Sequence, residues 1–126
     1  MRSANLLAGL FAVLAVCVFA PVARAQGPCT EPVPPMPVDG SAVTADQLRA
    51  AMADARNFIA QSDIYQACLT NEVDAARTQA AADGRPFDPA IDADAKASIA
   101  ASQKAKDKVS ADISTAVTTY KQTHTN

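Results

Sequence analysis

The stretch TADQLRAAMADARNFIAQSDIYQACLTNEVDAARTQAAA, residues 44–82, contains neither proline nor glycine. It is rich in Ala, Gln and Asp, and its apolar and small residues recur with a helical period. Leu48, Met52, Ala55, Ile59, Ser62, Gln66, Leu69, Val73, Ala76 and Ala80 succeed one another by alternating steps of four and three. This heptad seam predicts a long helix that packs lengthwise against a second helix. Thr44 with Gln47 three residues later predicts a capping box at its start.

The next breaker is DGRPFDP, residues 83–89. Gly84 suits the left-handed residue that closes a helix. Asp88 followed by Pro89 suits an N-cap and first position of a second one. Residues 90–126 again lack Pro and Gly, and Ala95, Ile99, Ser102, Lys106, Val109, Ile113, Ala116 and Tyr120 form a second seam with the same steps. A short turn between two seams makes the helices antiparallel neighbours. The fold class is therefore all-α. It is an antiparallel two-helix hairpin, coiled-coil-like, with helices over about 44–82 and 89–121 and a turn over 83–88. Residues 123–126 form a polar, frayed tail.

Folding the chain at Arg85–Pro86 pairs Ile59 with Ile113 and Leu69 with Ser102. It also sets Gln66 opposite Lys106, a polar layer expected to fix register at some cost in stability.

Upstream of the hairpin the composition changes twice. Residues 26–43, QGPCTEPVPPMPVDGSAV, carry five prolines and two glycines and read as a proline-rich extended arm. Residues 1–25 read as a secretory signal: Arg2, an apolar run from Leu6 to Phe19, the breaker Pro21, and Ala23-Arg24-Ala25 before a cut at Gln26. The run is too short for a comfortable membrane span, and Val16 before Cys17 fits a lipidation box poorly. Cleavage removes Arg2 and Arg24 from the 11 basic residues and leaves nine against 13 acids, a net charge of −4. That balance argues against nucleic acid as partner. Cleavage also leaves no integral membrane segment. The expected location is a periplasm or the cell exterior.

The cut discards Cys17 and leaves two cysteines, Cys29 and Cys68. In an oxidising compartment an intramolecular disulfide is the default; a covalent dimer and free thiols are the other outcomes. The bond requires the arm to run back along the first helix. Phe58, Tyr65 and Cys68 make one stripe there, on which the prolines, Val33 and Met36 have a surface to lie. The same Phe58 and Tyr65 equally suit an interface, including a homodimer that closes a four-helix bundle.

The residues offer little chemistry. His124 is the single histidine and stands third from the end of the sequence. No Ser-His or Cys-His arrangement and no zinc ligand set is expected, and no cofactor. Asp83, Asp88, Asp92 and Asp94 gather near the turn without the order of a calcium loop. Lys104, Lys106 and Lys108 alternate with Ala105 and Asp107 and read as a solvated face. The expected function is that of an exported, non-enzymatic helical protein of the cell envelope. It would act by protein binding or as a structural or chaperone-like component. The alternative is an inhibitor or accessory subunit of another exported protein, and a small enzyme is the third reading.

Overall fold

The structure, a computed structural model, describes residues 29–124. The signal sequence read at 1–25, with Cys17, lies outside the described residues. Two helices make up the fold, α1 over Ala45–Ala82 and α2 over Pro89–His124. No helix among the described residues is long and apolar enough to cross a membrane.

The helix ends follow their local chemistry. At the start of α1 the Thr44 N–H donates to Gln47 Oε1 at 2.8 Å, and the Gln47 N–H donates to Thr44 Oγ1 at 3.2 Å. Together these bonds complete the capping box. At its end Gly84 has φ 64°, Arg85 N–H donates to Ala80 O at 2.9 Å, and Gly84 N–H donates to Ala81 O at 3.1 Å. This is a Schellman closure, and it needs a residue without a Cβ penalty at Gly84. Asp88 caps α2 by accepting the Ala90 N–H at 2.9 Å, with Pro89 as the first helical residue. α2 continues past the expected end at 121. Thr123 Oγ1 donates to the Thr119 carbonyl at 3.0 Å, and the His124 ring stacks on Tyr120 with centroids 4.2 Å apart. These contacts order a turn that composition alone marks as frayed.

Every residue of both seams is buried or half-buried. Ala95, Ser102, Val109 and Ala116, seven residues apart, are the buried line of α2, and Leu48, Ala55 and Ser62 repeat the interval in α1. Ala55, Phe58 and Val109 form the core cluster, with Ile59, Ala105 and Ile113 packed on it. The many Ala and Ser side chains let the helices approach closely while burying little area each.

The register differs from the expected one. Gln66 does not pair with Lys106. Its Nε2 donates to Ser102 Oγ at 3.1 Å, while the Lys106 ammonium bonds Asp63. The observed pairs are shifted by roughly three residues, close to one turn of helix. The turn agrees with the shift. It does not close symmetrically at Arg85–Pro86. Phe87 lies back along α1 beneath the Arg77 guanidinium, 4.9 Å from ring centroid to Cζ, and Arg77 also reaches Asp92 at 3.0 Å. α2 therefore starts level with the last turns of α1 rather than beyond them.

Candidate functional site

The feature that departs from a plain hairpin is the segment from Cys29 to Val43. It contains no helix or strand, and a turn occupies residues 40–42. Cys29 is bonded to Cys68 of α1, with Cα atoms 5.8 Å apart and a sequence separation of 39. From that bond the chain runs towards the start of α1. Pro35, Pro37 and Val38 share a small cavity with Ala51, Ala55, Val109 and Ile113. Further on, Pro37 to Gly40 face Asp112, Thr115, Ala116 and Thr119 of α2. The segment thus occupies the groove between the two helices.

Its burial repeats every third residue. Cys29, Pro32, Pro35 and Val38 are half-buried, and the residues between them are exposed. Three residues per turn is the period of a polyproline II helix, which proline-rich chain favours because its φ is already set. The length fits as well. Nine steps from Cys29 to Val38 at about 3.1 Å give about 28 Å, against about 26 Å for the seventeen steps from Ala51 to Cys68 in α1. Val33 and Met36 fall on an outer edge, and are 87 % and 88 % exposed. Contrary to the expectation, they do not lie on the rings of α1, because a three-residue period cannot turn 32, 33, 35 and 36 to the same side.

The segment ends in a turn fixed by Asp39. Its Oδ1 accepts the Ser41 N–H at 2.9 Å and the Ser41 hydroxyl at 2.7 Å, and its carbonyl accepts the Ala42 N–H at 3.0 Å. The Ser41 bonds hold the Asp39 carboxyl below the ordinary carboxylate value. Gly40 is buried here against the backbone of α2.

The expected site residues are therefore distributed. Phe58 is 4 % exposed, inside the core cluster with Val109. Tyr65 is half-buried and borders an open concavity with Cys29, Pro32, Gln61, Ile64 and Cys68. Ile64, 71 % exposed, stands at the same place. A matching stripe on α2 escapes the sequence reading. Ser98, Ala105, Asp112 and Thr119, seven apart, are all half-buried, and Ala105, Asp112 and Thr119 border the segment. The interval is readable, but three of the four are polar, so hydropathy gives no signal.

The titratable groups near the turn are held by neighbours. Asp83 accepts from Arg85 and from Gln79, and Asp92 from Lys96 and Arg77. Both carboxyls lie below the ordinary value, Asp83 chiefly through Arg85 and Asp92 chiefly through Lys96. Among the described residues, the group with metal-ligand spacing is Cys29, Cys68 and Glu72. Its two sulfurs are bonded to each other, so neither offers a thiolate in this state. The cavities along the segment are lined mainly by proline, aliphatic side chains and the disulfide. No family model, no curated protein and no solved structure matches this chain.

Proposed function

We propose that this chain is an exported helical-hairpin protein of the cell envelope that works by contact with another protein rather than by catalysis. The Cys29–Cys68 bond carries the reading. A disulfide that holds a proline-rich strap along the hairpin belongs to an oxidising compartment, and the signal-like residues 1–25 provide the route there. In this reading residues 29–43 are a structural third element. They cover the thin helix–helix seam and remove the need for a second copy to complete the core.

The monomer is preferred over a four-helix bundle because, among the described residues, Ile64 and Ile91 alone are large exposed apolar residues on the helices. A bundle interface needs a continuous apolar face on each hairpin. Catalysis is set aside because the single histidine is engaged at the end of α2. Its ring stacks on Tyr120, and its Nδ1 lies 3.0 Å from the Tyr120 carbonyl oxygen.

The test is to cross-link the envelope fraction of cells that make a C-terminally tagged chain, then size the tagged species under denaturing conditions. The reading expects the chain in that fraction, with Cys29 and Cys68 blocked to thiol reagents, joined to a different polypeptide. A chain that stays inside with free thiols, or that runs alone after cross-linking, contradicts it.

A further inference from the structure

A protein that works by contact must present a surface to its partner, and the assignment of that surface rests on the proposed function. The segment Val33-Pro34-Pro35-Met36-Pro37 presents two apolar–proline dipeptides, Val33-Pro34 and Met36-Pro37, one polyproline II turn apart. Both dipeptides are exposed, while Pro35 between them is turned to the hairpin. Val33 and Met36 are the two most exposed large apolar residues among those described. The strap's structural role leaves most of their surface unaccounted for, since Pro32, Pro35 and Val38 make its inner edge and Met36 only borders the cavities beneath it.

We propose that this outer edge is a pre-ordered polyproline II ligand for a partner protein whose groove is lined by aromatic rings and rimmed by basic residues. Aromatic-lined grooves receive such dipeptides because the ridge of a polyproline II helix is rigid and lies flat between rings. Here the ridge is ordered before binding, with the disulfide at one end and the Asp39–Gly40 turn at the other, so little entropy remains to be lost on docking. The basic rim follows from charge. Glu31 and Asp39 flank the edge at its two ends, and Glu31 has no ion pair among the described residues. The partner is a different protein because the described rings of this chain do not line one common groove. Phe58 is in the core, Phe87 lies under Arg77, Tyr65 is half-buried beside the disulfide, and Tyr120 is stacked on His124. Tyr65 is the one ring at its open concavity, so a second copy offers, among the described residues, no groove lined by several rings.

The experiment places a photo-cross-linking side chain at position 31 of the full chain in its native host, and in parallel at the exposed position 111 of α2. The cross-linked peptide of any adduct is then mapped. The expected result is an adduct from position 31 with a protein whose cross-linked peptide borders a groove of aromatic residues. That adduct should fall at least about tenfold in the Val33→Asp, Met36→Asp double variant, and survive Ile91→Asp. Both substituted side chains are solvent-exposed, and a retained Cys29–Cys68 bond confirms that the double variant is folded. An adduct that the double variant leaves unchanged overturns the inference, as does one to lipid, to a second copy or to a surface without aromatic residues. Protein adducts from position 111 alone overturn the inference and leave the proposed function standing. No protein adduct from either position removes both.

Discussion

Gly40 stands so close to Ala116 that a Cβ built on it would lie 2.0 Å from the Ala116 carbonyl oxygen and 2.8 Å from the Tyr120 nitrogen. Both obstacles are helix backbone, which cannot swing aside as a side chain can. Gly40→Ala should therefore lift the 39–42 turn off α2. We expect a loss of about 2–3 kcal/mol, the upper range for overpacking, read from chemical denaturation. In a Cys29→Ser background the strap is no longer tethered, and the same substitution should cost less, as coupled sites do. Equal costs in the two backgrounds would mean that turn and bond act independently.

Gly84 provides a contrast. It has open space around it but a φ of 64°, so its requirement is conformational. Gly84→Ala should cost about 1 kcal/mol, and Gly84→Asn less, because Asn tolerates that region. Denaturation midpoints of the two variants check the order.

Removing the bond should be expensive. Closing a loop of 39 residues stabilises by about 4 kcal/mol on the chain-entropy estimate. The Cys29→Ser, Cys68→Ser double variant should lose an amount of that order, with helix content largely retained at low temperature. Hydrogen exchange should accelerate first in residues 29–43.

Two serines in the seam should respond in opposite directions. Ser62 is fully buried, and its hydroxyl has no hydrogen-bond partner among the described residues. Ser62→Ala removes an unsatisfied polar group and should stabilise by about 1 kcal/mol. Ser102 accepts the Gln66 amide, so Ser102→Ala orphans a half-buried donor and should destabilise by a similar amount. Thermal unfolding of the two variants decides it.

Acid should weaken the fold. Asp39, Asp83 and Asp92 all have folded-state values below the ordinary 3.8. A depressed carboxylate stabilises fully above its unfolded value, and that stabilisation is lost as pH falls through the folded value. The unfolding midpoint should hold steady down to about pH 5 and decline below about pH 4. Asp92→Asn should reduce that decline, since the group that binds Arg77 and Lys96 no longer titrates. These carboxylates are at the surface, so the effect should shrink in high salt.

The hairpin was legible because helix signals here are local. The capping box at Thr44, the Gly84 closure and the Asp88-Pro89 start depend on neighbours within a few residues, and the two seams repeat without a break. Register was not legible, because the contacts that report it, Gln66 to Ser102, Lys106 to Asp63 and Phe87 under Arg77, are not encoded in any periodicity. The strap's facing escapes hydropathy for a similar reason. Its inner and outer edges follow a three-residue period, while hydropathy alone puts Val33 and Met36 inside with the prolines. The α2 stripe that borders the strap includes Asp112 and Thr119, which hydropathy discounts.

The proposed function depends on export of the chain and on a strap fastened to the hairpin. The decisive measurement is the intact mass, without reductant, of the protein recovered from its native cells. The expected mass is that of a monomer whose first residue is Gln26, less two hydrogens for the Cys29–Cys68 bond. A mass that retains residues 1–25, includes both thiol hydrogens, or corresponds to a covalent dimer would rule this out.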